Sequence, residues 1–195
     1  MKCCAPPSNY WRAELASWGT IARRIRVPLG FAFAAFYLWL AKPNWKSLLI
    51  GGLVCLPGLW LRALASGHVR KNSVLTTSGP YAHTRNPLYL GSLLIAAGFG
   101  IAGRNWWIGL IILAIFGVVY LPVIRAEEEF LRTRFSDYQD YADRVPRLFP
   151  RWSSPGTAED TFSAQLYWQH REYNSILGAS VIMAALVVKL LWFSS

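Results

Sequence analysis

The sequence predicts an all-α integral membrane protein with about five transmembrane helices plus an N-terminal interfacial amphipathic helix. Three observations predict it. The chain is 54% hydrophobic, with a mean hydropathy of +0.27, and only 15% charged, against roughly a quarter in an ordinary soluble domain. The charges are poorly mixed: residues 27–41, 47–61, 86–103, 105–124 and 173–188 contain no Lys, Arg, Asp or Glu. With the N-terminus inside, sixteen of the twenty basic residues fall on one side of the membrane, which is the bias that cytoplasmic loops carry.

In chain order, Trp11, Leu15, Trp18, Ala22 and Ile25 recur at helical spacing beside Arg12, Arg23, Arg24 and Arg26. Residues 1–27 therefore read as a helix lying in the headgroup plane. Pro28 suits the first turn of a first span. A second span covers Trp45–Leu61, with Pro57 as a kink. A span needs about 20 apolar residues, roughly 17 at the lower limit; Pro28–Ala41 and Leu88–Gly103 are short alone. The third and fourth spans are separated only by Gly103, Arg104 and Asn105, so they form a tight antiparallel hairpin. Gly91, Ser92, Ala96, Gly98 and Gly100 would let helices approach closely. After Ile124, Leu131, Phe135, Tyr138 and Ala142 share one helical face, which predicts an amphipathic continuation of the fourth span into the cytosol. Residues 152–160 read as a loop before an interfacial segment and a last span within 173–193. No internal repeat or low-complexity linker divides the chain, so residues 1–195 read as one membrane-embedded domain.

The net charge of +10 reads as topology plus attraction to anionic headgroups. No basic stripe interleaved with stacking aromatics lies outside the membrane segments and their flanks, so nucleic acid is not an expected partner. Cys3, Cys4 and Cys55 make no disulfide framework, because Cys55 sits in a span and the other two face the cytosol.

Several chemical readings fail on context. Gly98–Gly103 (GFGIAG) spells the dinucleotide fingerprint, but that motif binds phosphates only where it follows a strand and opens a helix. Here it ends a span, so close packing explains it. His68, His83 and His170 have no cysteine or carboxylate at ligand spacing, so no metal is expected. No nucleophile elbow is present.

Two polar segments differ in kind. Leu75–Gly91 (LTTSGPYAHTRNPLYLG) runs from a loop into the third span, with Arg85 at its mouth and Pro87 as a pre-set first turn. Arg125–Pro150 leaves the fourth span with three consecutive glutamates, which are costly at a membrane exit unless solvated or paired. Because the third and fourth spans form a hairpin, both segments end on one membrane face and can form two walls of a pocket.

Leu75–Gly91 resembles the (L/V)-V-T-x-G-x-Y-x-x-x-R-H-P-x-Y-x-G signature of the isoprenylcysteine carboxyl methyltransferases. Glu127–Pro150 resembles their E-E-x-x-L…F-G-x-x-Y-x-x-Y…V-P pattern. Asn86 stands where those enzymes have His, and Ser136 replaces their Gly. Asn-Pro-x-Tyr-x-Gly is similar instead to the phospholipid N-methyltransferases, which share the paired glutamates. The resemblance implies a membrane methyltransferase that uses S-adenosylmethionine on a lipid or lipid-linked substrate. It implies catalytic roles for Arg85, Glu127 and Glu128, and cofactor-pocket roles for Tyr81, Asn86, Pro87, Tyr89, Gly91 and Arg147. Carboxyl O-methylation of a prenylcysteine-type acceptor is the leading expectation, with phospholipid N-methylation as the alternative. A sterol-type reductase using a nicotinamide cofactor and a non-catalytic relative of the same architecture stay open.

Overall fold

The computed structural model describes residues 30–69, 74–151 and 162–193. The expected interfacial helix within residues 1–27, Cys3 and Cys4, and the expected loop at 152–160 lie outside the described residues. Within them, every regular element is helical. The order is α1 (Gly30–Leu40), α2 (Trp45–His68), a 3-10 turn (Gly79–Ala82), α3 (Pro87–Gly103) and α4 (Trp106–Ile115). A π-helical turn (Phe116–Tyr120) carries α4 into α5 (Leu121–Arg134), followed by α6 (Tyr138–Arg144), α7 (Ala164–Gln169) and α8 (Tyr173–Phe193).

Among the described residues, three helical stretches are long and apolar enough to cross a membrane: Trp45–His68, the continuous Trp106–Arg134, and Tyr173–Trp192. The chain is an integral membrane protein. Their outer faces carry large apolar side chains in the open, among them Leu53, Leu113, Val181 and Trp192, which in water would form an untenable patch. The helices α1 and α3 are shorter. The 17 residues of α3 rise about 25 Å, against a hydrocarbon core of about 30 Å. Among the described residues there are therefore five apolar helices of ten residues or more in the membrane-facing bundle, three of which have full spanning length.

Two expectations change. The fourth span is not uniform: five residues ahead of α5 adopt a π-helical turn just before Pro122, at the second position of the following segment. Proline cannot donate the i→i−4 bond, and a widened turn absorbs that loss. The amphipathic continuation is also broken. Phe135 turns to extended backbone (φ −125°, ψ 122°), and Ser136 Oγ donates to Asp137 Oδ1 at 2.8 Å. Ser and Asp favour such local bonds over helix. The break folds α6 back so that Tyr138, Tyr141 and Val145 bury together against Leu75, Leu131, Phe135 and Ala142. The apolar face was read correctly, but its helix was not continuous.

The helices α2 and α3 pack antiparallel, glycine against backbone. A Cβ on Gly98 would lie 2.6 Å from the Gly51 carbonyl oxygen, and one on Gly91 would lie 2.8 Å from that of Gly58. Both distances are below contact, so larger residues must push the helices apart. This packing accounts for the GFGIAG run, which lies inside a helix. Gly98→Leu is expected to lower stability in detergent by about 3 kcal/mol, the upper part of the overpacking range, because the obstruction is backbone. An unchanged melting temperature would mean that the helices are not in this close contact.

The two ends of the bundle are chemically distinct. At one end Ser47 Oγ donates to the Ala102 carbonyl at 3.0 Å, Lys42 N donates to Gly103 O at 2.9 Å, and Lys189 Nζ donates to Trp39 O at 3.0 Å. Arg104 makes the α3–α4 turn there in the left-handed region (φ 48°). At the other end Arg62 forms a two-pronged pair with Glu172, Nε–Oε2 3.1 Å and Nη2–Oε1 2.9 Å. It also donates to Ser92 and to the Leu88 carbonyl, joining α2, α3 and the start of α8. Arg85, Arg132, Arg134, Arg144 and Arg147 collect at this second end, which carries the candidate site.

Candidate active site

The loop after α2 is tied down before it enters α3. Gly79 has a positive φ of 56°, and a Cβ there would meet the His68 ring at 2.7 Å, so the 3-10 turn can close onto α2 only through glycine. Tyr141 on α6 donates its hydroxyl to the Tyr81 carbonyl at 2.7 Å. Residues 83–85 then pair with 146–151. Arg85 N donates to Pro146 O at 2.9 Å, Arg151 N donates to His83 O at 3.0 Å, and Thr84 Oγ1 donates to Leu148 O at 3.0 Å. The two polar segments are thereby knitted into one wall.

Glu128 sits at the centre, only 4% exposed. Asn86 Nδ2 donates to its Oε1 at 3.0 Å. Arg147 Nε and Nη2 reach its Oε2 at 2.9 and 2.8 Å. Arg85 Nη1 stands 3.8 Å from the same oxygen. Asn86 Nδ2 also donates to the Arg147 carbonyl at 3.0 Å. A buried carboxylate is tolerated only when paired and hydrogen-bonded in this way. Glu127, one residue earlier, points elsewhere: it is exposed and accepts from the Tyr89 hydroxyl at 2.9 Å. The adjacent glutamates face apart because neighbours on a helix are about 100° apart around its axis.

These residues border a cavity of about 160 Å³. Tyr81, Arg85, Asn86, Pro87, Tyr89, Glu127 and Glu128 all line it. Arg147 reaches the site through Glu128 and stays partly solvated. Gly91 is not brought to the cavity. It is buried against Arg62 and the Gly58 carbonyl in the α2–α3 interface.

Tyr138 and Tyr141 also line the cavity. Both lay within the quoted Y-x-x-Y motif, but their spacing could be read equally well as the apolar face of α6. Burial, first, pushes the hydroxyls of Tyr81, Tyr138 and Tyr141 above the ordinary phenol range. Glu127 adds to the shift at Tyr81, and Glu128 to those at Tyr138 and Tyr141. The three rings stay neutral at physiological pH. Arg85 Nε is buried without a well-formed hydrogen bond, and the Tyr138 hydroxyl beside it interacts with the Arg85 guanidinium, which offsets part of its upward shift. Leaving such a donor unsatisfied costs roughly 1–3 kcal/mol, so the wall is suited to a polar ligand.

The histidines serve structure: His68, His83 and His170 each bond a backbone carbonyl through Nδ1, those of Leu64, Arg151 and Ser66. No cluster of three potential metal ligands occurs among the described residues.

Residues 61–138, the stretch that contains α3, both glutamates and the loop between α2 and α3, match the model of the phospholipid methyltransferase family. The site-bearing segment is similar to this family, and the match covers 78 of the 195 residues. The chain is also 40% identical, over 95 residues, to the cobalt-zinc-cadmium resistance protein of Cupriavidus metallidurans, covering 49% of this chain and 43% of that protein. It is 37% identical, over 95 residues, to the nickel-cobalt-cadmium resistance protein of Alcaligenes xylosoxydans xylosoxydans, covering 49% and 44%. The match thus spans less than half the length of either relative. No solved structure matches the chain.

Proposed function

We propose that this protein transfers a methyl group from S-adenosylmethionine to a lipid or lipid-linked acceptor at the membrane face where the arginines collect, with the N-terminus on the same, cytosolic side. The observation that carries the reading is the cavity at the mouth of α3, bordered by two glutamates of divergent orientation and Arg85, on a segment similar to a methyltransferase family.

The residues present fit such a donor. Glu127 offers an exposed carboxylate to accept hydrogen bonds from ribose hydroxyls or an ammonium group. Arg85 Nε, buried without a well-formed hydrogen bond, offers a donor to a carboxylate. Tyr81 and Tyr89 present aromatic faces that attract a cation. When bound, S-adenosylmethionine supplies an electrophilic methyl group on a sulfonium. The protein's part is orientation, since an in-line displacement gains chiefly from holding the reacting atoms in register. Asn86 and Arg147 act from behind by fixing Glu128. A carboxylate acceptor would be ionised already, whereas an amine must lose a proton, for which Glu127 is the accessible base.

A lipid acceptor is supported by the adjoining apolar space. Two further cavities, of about 150 and 340 Å³, share Gly30, Phe33, Ser92, Ala96 and Ile112 between α1, α3 and α4. The first reaches Tyr120, which packs edge-on against Tyr89 with ring centroids 6.0 Å apart. An acyl or prenyl chain there would put its head beside the donor cavity. The names of the two relatives suggest a setting in metal resistance.

The test is transfer of labelled methyl from S-adenosylmethionine by purified protein into an extract of its own membranes. Label in the organic phase is expected, and none would reject the reading. Glu127→Gln should weaken S-adenosylhomocysteine binding about tenfold, the scale of one hydrogen bond to a charged group. Its melting temperature should be unchanged. Full affinity in the variant would leave Glu127 as an interface charge.

A further inference from the structure

A second pocket lies on the other flank of Arg85, outside the donor cavity, with a volume of about 380 Å³. Arg85, Arg144 and Arg151 line it, with Asp143 as its one acidic residue. The frame is held by contacts already described: Arg85 and Arg151 are fixed on the paired segments 83–85 and 146–151. Arg144 is held at the end of α6 by its Nε donating to the Asp140 carbonyl at 3.1 Å. Asp143 is engaged by its own helix, accepting from Gln139 Nε2 at 2.9 Å. Neither Arg144 nor Arg151 pairs with a carboxylate among the described residues. Arg85 is already balanced by Glu128 at 3.8 Å, so Arg144 and Arg151 against Asp143 leave a local excess of one positive charge. Phe149, 76% exposed, stands on the same rim between Leu148 and Pro150.

We propose that this pocket binds the phosphate of an anionic lipid headgroup, separately from the methyl donor and the acceptor. A phosphate carries one to two negative charges, enough to neutralise the local excess. Its oxygens accept the forked hydrogen bonds that guanidinium groups donate. The pocket lies just before the first turn of α3. Exposed Phe149 on its lining offers an apolar contact that a lipid would cover and a soluble anion would not. Because Arg85 borders both cavities, a bound headgroup would hold that guanidinium in place for the donor site.

The experiment uses the full chain in detergent and short-chain lipids as probes. Dihexanoyl phosphatidate should bind at least tenfold more tightly than dihexanoyl phosphatidylcholine. Arg144→Gln with Arg151→Gln should remove that preference without changing the melting temperature. A control variant, Arg132→Gln with Arg134→Gln, loses the same charge from exposed positions on α5 and should keep it. Equal binding of phosphatidate by the Arg144/Arg151 variant, or equal losses in both variants, would overturn the proposal, the second by assigning the effect to diffuse charge. Inorganic phosphate displacing the lipid at equal concentration would overturn the lipid assignment. Failure of S-adenosylhomocysteine to bind, with phosphatidate still bound through the two arginines, would reject the methyl-transfer reading and leave this site intact.

Discussion

Glu128→Ala is expected to abolish methyl transfer and to lower stability by roughly 3 kcal/mol, the lower end of the range for breaking a buried pair. The lower end applies because Arg147, one of its partners, is 45% exposed in its side chain and can recover hydration. Arg85 cannot recover it so easily: its side chain is 13% exposed, and without Glu128 it becomes a poorly compensated buried cation. Asn86 loses its acceptor as well. The segments 83–87 and 146–151 are fixed to each other by backbone bonds but to α5 through this carboxylate, so the cavity wall should loosen. Denaturation of detergent-purified protein and labelled methyl transfer read the two effects separately. A variant of parental stability would mean that Glu128 does not hold the wall.

Arg85→Lys should lower methyl transfer by more than about tenfold, a loss of over about 1.4 kcal/mol in transition-state stabilisation. Lysine retains the charge but lacks the planar fork and the Nε–H, which is here buried without a well-formed hydrogen bond. Stability should change little, because Arg147 and Asn86 still satisfy Glu128. Loss of activity with an intact melting profile therefore distinguishes a ligand-contacting guanidinium from a structural one. Full activity in the lysine variant would remove Arg85 from the mechanism.

Much of this arrangement was legible because it is local. Pro87 opens α3 as its position requires, the three-residue α3–α4 turn forces a hairpin, and that hairpin brings Arg85 and the glutamates to one face. Glycines in an apolar run signalled close helix packing, and Gly91 and Gly98 provide it. The motif also carried Gly91 into the expected pocket, because sequence spacing does not say which face of a helix a glycine occupies. The different fates of Glu127 and Glu128 were hidden for the same reason: two adjacent acids read alike until their partners, Tyr89 and Arg147, are located. The Arg62–Glu172 pair joins residues 110 positions apart and leaves no local pattern. The break at Phe135–Asp137 depends on Tyr138 finding a buried place against Leu75, a tertiary gain that overrides the periodicity of the segment.

The most direct measurement of the central claim is calorimetry on the detergent-purified chain with S-adenosylmethionine, S-adenosylhomocysteine and a reduced nicotinamide dinucleotide. Saturable binding of the first two near one per chain, weakened by Glu127→Gln, with no nicotinamide binding, is the result predicted. Binding of the nicotinamide alone would contradict it in favour of a reductase. Binding of none would contradict any role for the cavity as a methyl-donor site.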